Sequence, residues 1–175
     1  MIRTLFREDQ IQKRIEEIAL EIQDYYQGKP LTVVVLLNGG IFFAADLVRK
    51  IQLPMQLDSL AASSYKNDVS SGKLDIRSQL KLNIKDRYVL IVDDILDTGF
   101  TLQQIKNHFD SLGAAEVRSC VLLNKILKDG KQKVASTEWS CFDTPDLYVV
   151  GYGLDSQELY RNLPYIGYIP TEDAE

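Results

Sequence analysis

Two cysteines and a single histidine are all that 175 residues supply of the usual thiol cross-links and soft metal ligands. Cys120 and Cys141 lack ligand spacing, so neither a zinc site nor a disulfide scaffold is indicated. Cys120 lies in an apolar run and is expected to be a small buried hydrophobe. No apolar run approaches the roughly 18 residues that span a bilayer. The opening Met1-Ile2-Arg3-Thr4-Leu5-Phe6-Arg7 lacks the apolar core of a secretory signal. The expected address is cytoplasmic, with no membrane partner. Positive charge is not in excess either: 20 Lys and Arg against 25 Asp and Glu give a net charge of −5. A general nucleic-acid binder shows a basic stripe, so no nucleic-acid partner is expected. A phosphate-bearing small molecule is still admissible, because backbone donors and a metal act locally.

What is present suits a single domain over residues 1–175: 45% hydrophobic and 26% charged residues, enough for one substantial core. Ile11, Ile15, Ile18, Ala19, Ile22 and Tyr26 recur at helical spacing and predict a helix over Asp9–Tyr26, stopped by Gly28-Lys29-Pro30. Leu31–Leu37 is an unbroken apolar run of the kind that a parallel sheet covers on both faces. Asn38-Gly39-Gly40 breaks it, and Ile41–Ile51 reads as a helix. Gln56–Ala62 is a further candidate strand. From Ser63 to Arg87 the chain turns polar, and a long polar excursion inside a domain is usually functional or disordered. Tyr88–Val92 is a buried strand. Leu102–Leu112 is a helix closed by Gly113, and Val117–Leu123 and Leu147–Val150 are strands. This alternation predicts an α/β fold: a central, mostly parallel sheet flanked by helices. The acidic end, Thr171–Glu175, reads as a frayed tail.

Asp93, Asp94 and Asp97 follow the strand Tyr88–Val92, at the end where open α/β sheets hold their ligands. Three carboxylates in a small volume repel, and are tolerated when something cationic or hydroxyl-rich sits opposite. Thr98-Gly99-Phe100-Thr101 then leads into a helix, whose first N–H groups and two hydroxyls could cradle a phosphate. On residue types alone two readings stand. One is a site for a ribose with a phosphate; the other is a strand end followed by an ordinary helix cap.

The longer run resolves this by resemblance. Val89-Leu90-Ile91-Val92-Asp93-Asp94-Ile95-Leu96-Asp97-Thr98-Gly99-Phe100-Thr101-Leu102 closely resembles the phosphoribosyl pyrophosphate (PRPP) signature of the type I phosphoribosyltransferases. Four more segments resemble the hypoxanthine-guanine branch of that family. They are Leu37-Asn38-Gly39-Gly40, Ser63-Ser64-Tyr65, Leu122-Leu123-Asn124-Lys125, and the stretch from Pro145 to Pro164 containing Gly151-Tyr152-Gly153-Leu154-Asp155. The likeness spans about Asp9 to Tyr168. It implies a type I phosphoribosyltransferase fold with a small hood lobe, drawn from about residues 1–20 and 145–175.

The resemblance also implies a reaction and its residues. Ribose 5-phosphate passes from PRPP to a 6-oxopurine, hypoxanthine or guanine, with Mg²⁺ as cofactor. Asp97 is the general base that takes the purine N7 proton. Asp93 and Asp94 hold the ribose hydroxyls, and Thr98, Gly99, Phe100, Thr101 and Leu102 the 5′-phosphate. Asn38, Gly39 and Arg161 serve pyrophosphate, and Ser64 and Tyr65 open a mobile loop that closes over the site. Lys125, Tyr148 and Val149 contact the purine. Asp155, with Asp93 and Asp94, attends the metal. A homodimer or homotetramer is implied as well. Two positions depart from the pattern: Asn38 stands where a basic residue is usual, and Asn124 where Asp is frequent.

Rival readings are less well served. A PRPP-sensing regulator would bring a nucleic-acid-binding segment, which is not seen. A phosphoacceptor receiver domain also pairs acids after a strand, but near its N-terminus and with the acceptor one strand later. An adenine transferase conflicts with Lys125, because an ammonium cannot accept from a 6-amino group. Xanthine stays open.

Overall fold

The computed structural model describes residues 1–64, 74–76, 79–128 and 131–170. In chain order the elements are β1 (Arg3–Phe6), α1 (Glu8–Tyr26), β2 (Leu31–Leu37), α2 (Ile41–Val48), β3 (Met55–Ser64), β4 (Leu74–Ile76), β5 (Tyr88–Leu96), α3 (Phe100–Ser111), β6 (Glu116–Lys125), β7 (Trp139–Thr144), β8 (Val149–Val150) and β9 (Ile166–Tyr168). Six strands form the main sheet in the order β4-β3-β2-β5-β6-β7. Strands β3, β2, β5, β6 and β7 are parallel, and only β4 runs antiparallel, at the edge. The α/β architecture expected from strand–helix alternation is the one found.

The unbroken apolar runs are explained by cover on both faces. Val33 and Val35 of β2 and Leu90 and Val92 of β5 point into a core shared with α1 and α2. Val34 and Leu36, with Val89 and Ile91, point into the opposite core, capped by Leu102, Ile105 and Phe109 of α3. Full burial of such a side chain contributes about 1.5–3 kcal/mol. All six residues that carried the periodicity of α1 are buried. Its first turn carries Glu8 and Asp9, which suit the positive end of the helix dipole. The Gln10 side chain there accepts the Arg7 N–H at 3.0 Å.

Several boundaries differ from the expectations. Helix α2 stops at Val48, not Ile51, because Lys50 and Ile51 donate to carbonyls only three residues back and the chain must straighten before Pro54. Strand β5 runs four residues past Val92, pairing Asp93 with Val121, Ile95 with Leu123 and Leu96 with Asn124. Asp93 and Asp94 are thus strand residues, not loop residues. Strand β6 likewise extends to Lys125. Gly113 adopts a left-handed φ of +83° after α3, as a helix-closing glycine should. Cys120 and Cys141 are both free and buried.

The first and last strands meet. Strand β9 pairs antiparallel with both β1 and β8, making a three-stranded sheet from the first and last segments. Tyr65 and the expected tail Thr171–Glu175 lie outside the described residues. Among those described, no helix is long and apolar enough to cross a membrane.

Candidate active site

One cleft of about 560 Å³ opens at the carboxyl ends of β2 and β5. Asn38 and Gly39, Asp93 and Asp94, the run Asp97 to Leu102, and Arg161 all line it. The parallel sheet delivers the turns after β2 and β5 to the same edge, and Arg161 reaches them from the C-terminal part of the chain.

The floor is the acid pair. Asp93 Oδ1 accepts the Asp94 N–H at 2.9 Å, and Asp94 Oδ1 accepts the Ile95 N–H at 2.8 Å. Burial first, and then the charge of Asp94, push the Asp93 carboxyl well above the ordinary carboxylate range. Burial also raises Asp94, partly offset by hydrogen bonds from Asp93 and the Ile95 backbone and by the charge of Arg161.

One wall is the turn into α3. Gly99 caps this helix with φ +84°, and Phe100 N–H approaches Thr98 Oγ1 at 3.4 Å. The first N–H groups of any helix have no partner within it, so those of the first turn of α3 face the cleft as anion donors. A Cβ on Gly99 would lie 2.6 Å from the Ala135 nitrogen, so only glycine fits between the turn and the segment behind it.

The opposite wall is the β2–α2 turn with a hairpin from the C-terminal part. Gly153 presses on the Gly39 carbonyl so closely that a Cβ would overlap it. Arg161 is tied to the same glycine in both directions: its Nη1 donates to the Gly153 carbonyl at 2.7 Å and its carbonyl accepts the Gly153 N–H at 2.9 Å. Its Nη2 pairs with Asp155 at 2.9 Å and Glu158 at 3.0 Å. Its Nε is buried without a hydrogen-bond partner. An orphan guanidinium N–H in a residue that lines the cleft is what an anionic ligand would satisfy.

The remaining candidates are not among the residues that line the cleft, and only Lys125 and Asp155 pair with one that does. Lys125, at the tip of β6, places Nζ 3.8 Å from Asp97 and 3.1 Å from Asp146. That hydrogen bond and charge hold Asp146 below the ordinary carboxylate range. Tyr148 is exposed and Val149 is buried in the three-stranded sheet. Asp155 is engaged by Arg161 and by the Glu158 N–H. Ser64 ends β3 opposite Leu74. His108 sits in the last turn of α3, away from the cleft.

Two contributors went unread in the sequence. Tyr152 hydrogen-bonds Asp46, with Gln12 donating to both at 2.9 and 3.0 Å, and so ties the hairpin to α1 and α2. Lys133 reaches the back of the Asp97 turn, donating to the Leu96 carbonyl at 2.9 Å. Tyr152 stands between Gly151 and Gly153 in a quoted segment, but its partners Asp46 and Gln12 are far away in sequence, and Lys133 belongs to no periodic or Gly-rich pattern.

A phosphoribosyl transferase domain model matches residues 2–157. The hypoxanthine-guanine-xanthine phosphoribosyltransferase of Tritrichomonas foetus is 37% identical over 166 residues, 94% of this chain and 90% of that protein. The hypoxanthine-guanine phosphoribosyltransferase of Bacillus subtilis is also 37% identical, over 94% of this chain and 91% of its own. This chain belongs to the hypoxanthine-guanine phosphoribosyltransferase family. Solved members superpose closely. A hypoxanthine phosphoribosyltransferase from Staphylococcus aureus has a TM-score of 0.90 at 36% identity, covering 97% of this chain and 92% of that one. A hypoxanthine-guanine phosphoribosyltransferase from Bacillus anthracis gives 0.90 at 37%, covering 97% and 100%. The family resemblance read over about Asp9 to Tyr168 thus holds over nearly the whole chain.

Proposed function

We propose that this chain is a purine salvage enzyme that transfers the 5-phosphoribosyl group of PRPP to hypoxanthine, guanine or both, giving IMP or GMP and pyrophosphate. The observation that carries the reading is one ion pair: Lys125, at the tip of β6, meets Asp97 at 3.8 Å, and Asp97 adjoins the run Thr98 to Leu102 that lines the cleft. A cation suited to a purine 6-oxygen and an acid suited to its N7 proton therefore stand together next to a phosphate site.

In the reaction the bond from C1′ to the pyrophosphate oxygen breaks and a bond from purine N9 to C1′ forms. The N7 proton passes to the Asp97 carboxylate, and pyrophosphate leaves with the bonding electron pair. Positive charge gathers on the ribose, so Asp93 and Asp94 are placed to hold its hydroxyls and stabilise it. The first turn of α3, with Thr98 and Thr101, holds the 5′-phosphate. Arg161, through its orphan Nε, and the Asn38–Gly39 backbone hold the pyrophosphate. With Asn38 uncharged, that turn contributes dipoles rather than a cation. Exposed Tyr148 offers a π-face to the purine ring, and Val149 shapes the sheet behind it.

Mg²⁺ fits the donors present. Among the described residues no three or more His, Cys, Asp or Glu side chains form a ready cage. Mg²⁺ commonly takes one or two carboxylates and fills its shell with water and substrate phosphates. Asp93 and Asp94, whose mutual repulsion a cation relieves, and Asp155 from the hairpin are the groups that would hold it. When bound it neutralises charge on the leaving pyrophosphate. A cytoplasmic address and a homodimeric or homotetrameric assembly complete the reading, with the sheet of chain ends serving as the hood.

The test pairs the native chain with Asp97→Asn, both given PRPP, Mg²⁺ and hypoxanthine. The native chain should form IMP, and Asp97→Asn should still bind PRPP while losing about 100-fold or more in kcat. Turnover that survives in Asp97→Asn removes it as the base.

A further inference from the structure

We propose that Lys133 is a positioning residue for the transfer, holding the Asp97 turn in place from behind. The inference rests on the transferase reading and on Asp97 as its base.

Three consecutive residues of the β6–β7 connection grip three residues of the turn. Lys133 Nζ donates to the Leu96 carbonyl at 2.9 Å, immediately before Asp97. The Val134 N–H donates to the Thr98 carbonyl at 2.8 Å, immediately after it. The Ala135 backbone abuts Gly99, where a Cβ would lie 2.6 Å from its nitrogen and 2.7 Å from its oxygen. Asp97 is bracketed on both sides while its own side chain stays half exposed toward the cleft.

The anchor of this strap is on the sheet. Lys133 Nζ also donates to Asn124 Oδ1 at 2.6 Å, and Asn124 Nδ2 donates to Asp143 Oδ1 at 2.7 Å. One ammonium thus joins the end of β5 to the ends of β6 and β7. Burial lowers the Lys133 pKa, while the charges of Asp97 and Asp143 raise it and that of Lys125 lowers it. Only a long cationic side chain can reach from this exposed connection to a carbonyl inside the turn. Losing it leaves the Leu96 carbonyl without its charged donor and the base free to drift. Small misplacement of a reacting group is costly to turnover.

The experiment compares the native chain with Lys133→Met and Lys133→Arg. It follows IMP formation with PRPP and hypoxanthine varied separately, and thermal unfolding alongside. Lys133→Met should lower kcat and raise the KM for PRPP, each about tenfold, as expected for one charged hydrogen bond. The KM for hypoxanthine and the melting temperature should stay close to native. Lys133→Arg should restore most of kcat. An active native chain with Lys133→Met equal to it overturns this inference alone. A loss of stability with an unchanged PRPP KM also overturns it, since that is merely structural. A native chain inactive with every purine overturns the transferase reading and this inference with it.

Discussion

The Asp94 carboxylate lies directly against the Cα of Gly39, so that a Cβ at position 39 would overlap its Oδ2 and Cγ. The turn after β2 and the acid of β5 therefore share one space. Gly39→Ala must push the Asp94 carboxylate from its place in the cleft. We predict a loss of PRPP affinity of about tenfold or more, read by calorimetric titration with Mg²⁺ present. Unchanged affinity would show that Asp94 has room to move without consequence.

Asp93 gives a stability prediction with a definite sign. Its carboxyl is raised in the fold, so between the ordinary value of 3.8 and the raised one the native state binds more protons than the unfolded state. Stability then falls as pH rises through that window and stays lower above it. Asp93→Asn should melt higher than the native chain at neutral pH without metal, each kilocalorie gained moving the midpoint by about 2–4 °C. The gain should vanish below pH 3.8. With Mg²⁺ and PRPP added the order should reverse, because only the native chain is stabilised by binding.

Gly99 is held at φ +84° against the Ala135 backbone. Alanine there costs about 1–2 kcal/mol for the left-handed conformation alone, before the clash. Gly99→Ala should lower the unfolding free energy by at least that amount in a urea titration, and raise the KM for PRPP. A neutral result on both counts would mean that the turn can be rebuilt without loss.

Lys125 is steered by Asp146 at 3.1 Å as well as by Asp97 at 3.8 Å. Lys125→Met should lower kcat/KM for hypoxanthine about 100-fold, the scale of a charged hydrogen bond to a carbonyl oxygen. Asp146→Asn should raise the KM for the purine by a smaller factor and leave that for PRPP unchanged. Equal effects on both substrates would place Lys125 outside the purine site.

Much of this molecule is written in local patterns. The 3.6-residue period of α1 and the two-sided cover of β2 are properties of adjacent residues, and both were readable as such. The strand ends were not. Asp93 and Asp94 look like a loop, yet β5 keeps its ladder to β6 through Leu96, since backbone pairing is indifferent to side-chain charge where the strand enters a cleft. Lys125 is a strand residue for the same reason. Strand β7 was missed because Ser140 and Asp143 interrupt its apolar character at the sheet edge. Contacts between distant segments left no trace. Lys133 meets Leu96 from 37 residues away, and Gly153 of the C-terminal part meets Gly39 of the turn after β2. Pairings of that kind arise from topology rather than from sequence periodicity, and only the fold reveals them.

The central claim is that one cleft joins PRPP to a 6-oxopurine. The most direct measurement offers the purified chain PRPP and Mg²⁺ with hypoxanthine, guanine, xanthine and adenine in separate reactions, and quantifies nucleotide and pyrophosphate together. The account predicts equal amounts of the two products with hypoxanthine, guanine or both, and none with adenine. Nucleotide formation from adenine, or none from hypoxanthine and guanine, would contradict it.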